Sequence, residues 1–140
     1  MASLVYNSFV FDLASNNINP TTDTIKVMLL NSTYTPSKSH AKRSDLTGEV
    51  TGTGYTAGGN TVAATVGATD NVNNRADITL AATSWANSTI TGARYAVYYK
   101  SRAGEATADE LLMVDDFGAD YSSSAATFSL AASTIRGNNP

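Results

Sequence analysis

The chain contains no cysteine, and that absence removes disulfides, thiolate zinc sites and cysteine nucleophiles together. Histidine occurs once, at His40, so a transition-metal site and a histidine-centred triad are both poorly supplied. Charge is sparse: nine basic and twelve acidic side chains make up 15% of 140 residues and leave a net charge of −3. That acidic balance lacks the basic footprint on which general nucleic-acid binding depends. No run approaches the ~20 apolar residues of a membrane-spanning helix. Residues 4–13 form the most apolar N-terminal segment, but they carry Asp12 and no basic flank, which argues against a signal peptide. Leu, Ile, Val and Phe total only 27 residues, few enough to raise the question of disorder. Seven Tyr, four Phe and one Trp, with a low net charge, answer it in favour of a folded chain. One domain spanning residues 1–140 is expected, burying roughly 70% of the surface of the unfolded chain.

What is abundant is Ser, Thr and Asn, 46 residues and a third of the chain, which suits a β-rich, turn-rich protein. Period-two alternation supports this. In residues 24–30, Ile25, Val27 and Leu29 share a face; in 61–66, Val62, Ala64 and Val66 do; in 75–80, Ala76, Ile78 and Leu80 do. The Asp- and Asn-rich residues 69–74 between the last two runs predict a hairpin turn. Residues 92–101 form the strongest strand, with Tyr95, Val97 and Tyr99 opposing Arg94, Ala96, Tyr98 and Lys100. Residues 111–117 and 125–130 follow, and Val50 and Tyr55 sit in a segment that could add a short strand. Six to eight short strands predict an all-β, antiparallel β-sandwich or jelly roll. The first 23 residues read as an N-terminal arm or a short helix: Val5, Phe9 and Leu13 fall at i, i+4 and i+8 with Ser3 as N-cap, although one strand face fits nearly as well. Residues 31–45 read as a long exposed loop, and 136–140 as a frayed polar tail.

Several constellations invite a chemical reading and give way to a structural one. Gly52, Gly54 and Ala57 satisfy G-x-G-x-x-A, but Gly58, Gly59 and Asn60 follow where a phosphate-binding helix would have to open. A turn cluster is expected there. His40 reads as solvent-exposed. Asp109, Glu110, Asp115, Asp116 and Asp120 concentrate carboxylates, yet no calcium-loop pattern is present, and Asp115 and Asp116 would point to opposite faces of a strand. A solvated rim is expected. Trp85, Tyr95, Tyr98 and Tyr99 could form an aromatic platform for sugar rings, with Tyr95 and Tyr99 better placed in a core. Asn31-Ser32-Thr33 and Asn87-Ser88-Thr89 match the glycosylation sequon and read as turn residues. No catalytic set, metal site or cofactor site emerges.

The order of several segments nevertheless carries a likeness. Asp23-Thr24-Ile25-Lys26-Val27, Tyr34-Thr35-Pro36 and Gly48-Glu49-Val50 lead into Thr51-Gly52-Thr53-Gly54-Tyr55-Thr56-Ala57-Gly58-Gly59. Trp85, Ser88-Thr89-Ile90, Ala93-Arg94-Tyr95-Ala96-Val97-Tyr98-Tyr99-Lys100 and Asp116-Phe117-Gly118 complete the series. The series resembles the cement, or capsid-decoration, proteins of tailed bacteriophages. The resemblance implies a β-sandwich or jelly roll docked on the outside of an icosahedral shell, a dimer that bridges neighbouring major capsid subunits. The virion is then its location, after assembly in the host cytoplasm; no membrane, nucleic acid or cofactor is expected. A glycan- or receptor-binding module of a tail or fibre is the alternative from another class. Lys38, His40, Lys42 and Arg43 put three positive charges into one loop of an acidic chain, and are the expected contacts to an acidic capsid patch. Replacing Lys38, Lys42 and Arg43 by Ser is expected to weaken decoration at low salt with little change in fold. Arg94, Tyr98 and Lys100 are the expected dimer or surface contacts.

Overall fold

The structure, a computed structural model, describes residues 2–138. Its strands are β1 (Ala2–Val5), β2 (Ile25–Asn31), β3 (Asn60–Val62), β4 (Ala64–Val66), β5 (Arg75–Leu80), β6 (Thr83–Lys100), β7 (Leu111–Leu130) and β8 (Ser133–Asn138), with one helix, α1 (Asn7–Ala14). They form two antiparallel sheets, one of five strands in the order β1-β7-β6-β2-β3 and one of three in the order β4-β5-β8. Ile78 and Leu80 from β5 and Ile135 from β8 pack with Ile25, Val27, Leu29, Trp85, Ile90 and Phe128 of the larger sheet in one apolar cluster. That shared cluster makes the protein an all-β sandwich.

The larger sheet is buried on both faces at one end. Val27 pairs with Tyr98 and Leu29 with Ala96 on the face toward the small sheet. Met28, Leu30, Tyr95, Val97 and Tyr99 lie on the other face, where Tyr6 and Tyr34 join them in a second apolar cluster. Residues 92–100 therefore read as an alternating half-exposed strand only because Arg94 and Lys100 interrupt a stretch whose aromatic residues are all buried. In the other half of β6 and β7 one face is covered: Trp85, Ser88, Ile90, Phe128 and Leu130 point inward, with the alternation broken once by an extra residue at Asn87. The two long strands carry several register shifts along their shared ladder, at Gly92, Ala125 and Gly118 among others, where positive φ values let the chain bend.

Three local expectations need correction. The N-terminal arm is partly sheet: β1 pairs with β7, Ser3 lies in that strand rather than at a helix cap, and its hydroxyl donates to Asp115 Oδ1 at 2.6 Å. The helix that follows buries Phe9 and Asp12 and leaves Leu13 largely exposed. The 61–66 run is divided: Asn60–Val62 pairs with β2 in the large sheet, whereas Ala64–Val66 crosses to form the predicted hairpin with β5. Residues 136–138 are not frayed, because β5 needs a second neighbour: Asp77 pairs with Arg136, Ala76 with Gly137 and Arg75 with Asn138. Residues 139–140 of that expectation lie outside the described residues. Among the described residues no helix is long and apolar enough to cross a membrane.

Candidate functional site

The basic loop is a clamp rather than a free arm. Its backbone is tied at four points: the Asn7 amide donates to the Lys38 carbonyl at 3.0 Å, Arg43 to Asp109 at 2.9 Å, Ser44 to Ala106 at 3.2 Å and Leu111 to Ala41 at 3.1 Å. A single 3-10 turn, Arg43–Asp45, closes it. The Asp45 carboxylate accepts the amides of Ala41 and Lys42 and is thereby held below its ordinary pKa. Arg43 Nε donates to Asp109 Oδ2 at 2.7 Å, and the Asp109 side chain is 1% exposed. Asp109 Oδ1 also accepts the Arg102 amide at 2.8 Å. Glu110 is shared by Arg102, at 2.8 Å, and Lys42, at 3.5 Å. Burial alone would raise the Glu110 pKa, but the Arg102 hydrogen bond and the two positive charges outweigh it and lower the value.

His40 is half-buried, not solvated: Nδ1 lies 2.8 Å from the Tyr34 hydroxyl, which lies 2.9 Å from that of Tyr6. Burial pushes the Tyr6 and Tyr34 hydroxyls up, so both remain protonated hydrogen-bonding groups. Of the four expected capsid contacts, only Lys38 is exposed; Lys42 and Arg43 spend their charge on buried carboxylates. Asp109, Glu110 and Asp115 are accordingly buried, not a solvated rim. Asp116 pairs with Arg94 at 2.7 Å, and among the described residues no acidic or histidine cluster is arranged to hold a metal ion.

The expected dimer contacts fare similarly. Tyr98 is fully buried, facing the small sheet, and its hydroxyl has no hydrogen-bond partner. Lys100 Nζ lies 3.0 Å from Asp23 and donates to the Asn17 carbonyl at 2.6 Å. Arg94 is held by Asp116 and lies 5.7 Å from the centroid of the Tyr95 ring. Trp85, Tyr95 and Tyr99 are buried, so the aromatic row that a sugar platform would use is not at the surface.

The glycine-rich segment is the turn cluster its sequence predicts. Gly52, Gly54, Gly58 and Gly59 have φ of 150°, 79°, 91° and 76°, and no helix follows them. The segment is bonded inward: the Gly58 amide donates to Glu49 Oε1 at 2.6 Å and the Tyr99 hydroxyl to the Gly58 carbonyl at 2.6 Å. Burial pushes the Tyr99 hydroxyl up to about 12, which keeps it a donor. The Tyr55, Gly58 and Gly59 amides are thus already engaged within the protein.

Two surface features escape sequence reasoning. Val10 and Phe11 of α1 are 65% and 67% exposed, and Leu13 beside them is 40% exposed. The signal was available: Phe9, Val10, Phe11 and Leu13 cannot all share one buried face of a helix. The second feature is β7 beyond β1. β1 covers its edge only from Met113 to Asp116, and among the described residues β7 from Phe117 to Leu130 pairs with β6 alone. Beside this free edge lies an open groove of about 510 Å³ lined by Phe117, Tyr121, Thr127, Phe128 and Leu130, among others, and by no charged side chain. Tyr121 is 54% exposed and meets Phe117 edge to face at 6.1 Å. In comparisons with known proteins, no family model, no curated protein and no solved structure matches the chain.

Proposed function

We propose that this chain is a structural, non-enzymatic virion protein that decorates an icosahedral phage capsid from outside and stabilises it, as a homodimer bridging neighbouring major capsid subunits. The observation that carries the reading is the pair of exposed apolar side chains Val10 and Phe11, pointing away from the face by which Phe9 anchors the helix. An exposed apolar pair on a mainly polar sandwich suits docking. His40, Arg43, Asp109, Glu110 and the Arg94–Asp116 pair, in contrast, are engaged internally. Full burial of an aromatic or aliphatic side chain contributes roughly 1.5–3 kcal/mol. A lattice of bridging copies multiplies such modest contacts.

The test is co-sedimentation of the protein with undecorated shells. The parent is expected to sediment with the shells, and Phe11→Ser to weaken binding by at least about tenfold at unchanged fold. Lys38→Ser should act only at low salt. A parent that leaves shells bare refutes decoration, and a Phe11→Ser variant that binds as the parent does refutes the role of α1. The second reading, a glycan- or receptor-binding module of a tail or fibre, now rests on the Phe117–Tyr121 groove with its hydroxyl-bearing rim. Imaging labelled protein on the tail instead of the head would favour it.

A further inference from the structure

We infer that the free edge of β7 pairs, antiparallel about a two-fold axis, with the same edge of a second copy of this chain. The ten residues from Tyr121 to Leu130 contain no charge, no proline and no glycine. Edge strands are ordinarily blunted by lysine, proline or a covering element, because unpaired N–H and C=O groups invite another strand. Here the extra residue at Ala125, with φ 45°, is the device on this strand, and it divides the edge into two shorter runs. An uncharged edge meets its own copy without like-charge repulsion, which is the condition an isologous interface imposes.

The bulge also makes the pairing self-complementary. Tyr121 lies opposite Ala93, Ser123 opposite Ile90 and Phe128 opposite Trp85, and all three β6 partners are buried. Tyr121 and Phe128 therefore share the inward side although they are seven residues apart. A two-fold axis between Ser124 and Ala125 sets Tyr121 against Phe128 of the second copy, twice, on the groove side of the joined sheet. Aromatic cross-strand pairs stabilise antiparallel ladders, and the groove gives each Tyr121 ring apolar walls. The second copy thus satisfies the edge and covers the groove with one operation. This interface deepens the dimeric part of the reading above, and it stands or falls separately from docking on a shell.

Sedimentation velocity of the full chain over a rising concentration series tests it. The expected species at high concentration has twice the 14.6 kDa of the chain. Thr127→Lys with Ser124→Lys, at exposed edge positions that face uncharged residues of the second copy, should raise the dissociation constant by at least about tenfold with an unchanged circular dichroism spectrum. The same change at exposed Thr65, on the β4 edge, should leave it unaltered. Because the chain has no cysteine, Ser124→Cys adds a second readout: mild oxidation should yield a disulfide-linked dimer, whereas Val72→Cys at the far hairpin turn should not. A parent that stays monomeric at every concentration overturns the inference. So does a dimer that tolerates both lysines and gives no Ser124→Cys cross-link. A dimer that leaves shells bare refutes decoration alone, and a monomer that decorates them refutes this interface alone.

Discussion

Replacing Arg43 by Ser should destabilise the fold, although a sequence reading takes the residue for a free surface charge. Asp109 is buried at 1% exposure, and among the described residues Arg43 is its only salt-bridge partner. Removing one partner of a buried ion pair costs about 3–5 kcal/mol, because the remaining charge is left desolvated. Two facts reduce that figure: the Arg43 side chain is 24% exposed, and Asp109 keeps the Arg102 amide at 2.8 Å. About 2–3 kcal/mol is then expected from the pair. The guanidinium also lies 5.4 Å from the centroid of the Tyr99 ring, and losing that contact adds about 0.5–1 kcal/mol. A total of about 3 kcal/mol should lower the melting temperature by roughly 10 °C in a domain of this size. Urea denaturation of the parent, Arg43→Ser, Asp109→Asn and the double variant checks the cause. If an uncompensated carboxylate dominates, Asp109→Asn should cost clearly less in the Arg43→Ser background than in the parent, by at least about 1 kcal/mol. An Arg43→Ser variant within about 0.5 kcal/mol of the parent would refute the reasoning. Shell-binding assays on the triple Ser variant of Lys38, Lys42 and Arg43 would conflate this loss with any loss of contact.

The remaining two predictions concern the backbone and acid. Gly59→Ala should destabilise by at least about 2 kcal/mol, since φ is +76° and the added Cβ would land on the Val27 carbonyl within the β2 backbone; a midpoint equal to the parent's contradicts the packing. Glu110 has its pKa lowered in the fold from an ordinary 4.5, despite burial, by Arg102 and Lys42; Asp116 has its own lowered from 3.8 by Arg94. Because the folded values lie below the unfolded ones, their stabilisation is complete above the unfolded pKa values and is lost as pH falls through the folded values. Urea midpoints should therefore drop progressively below about pH 4.5, and a level midpoint down to about pH 3 would count against the pairs.

Strand identity was legible wherever one face meets a core and the other meets water. Ile25, Val27 and Leu29 announced β2, and the Asp70–Asn74 turn announced the β4–β5 hairpin, because period two and turn chemistry are local properties. Sheet membership is not local. Val62 and Ala64 lie on one face of a continuous alternating run, yet the first belongs to the large sheet and the second to the small one. Likewise Tyr98 alternates with Tyr99 as though one faced water. Both are buried, because residues 31–46 fold back and supply Tyr34 and Leu46 as a cover for the second face. Alternation tells which residues share a face; it does not tell how many faces are covered.

The same limit explains the basic loop. Lys38, Lys42 and Arg43 are close in sequence, and the carboxylate partners of Lys42 and Arg43 are 68 and 66 residues away on the approach to β7. A charge count by window therefore reports an excess of positive charge where the folded protein has balanced pairs. The late carboxylates showed the converse error, reading as a solvated acidic rim for want of visible counter-charges. Taken together, the two readings correct each other: a basic cluster and an acidic cluster in a chain of low overall charge are themselves a signal that the segments meet. The connection between β6 and β7 is then held by the loop, and the two surfaces that stand out for a partner, Val10 with Phe11 on α1 and the β7 edge from Tyr121 to Leu130, carry no charge. Charge was conspicuous in the sequence because it is rare there, and for the same reason the fold consumes it internally.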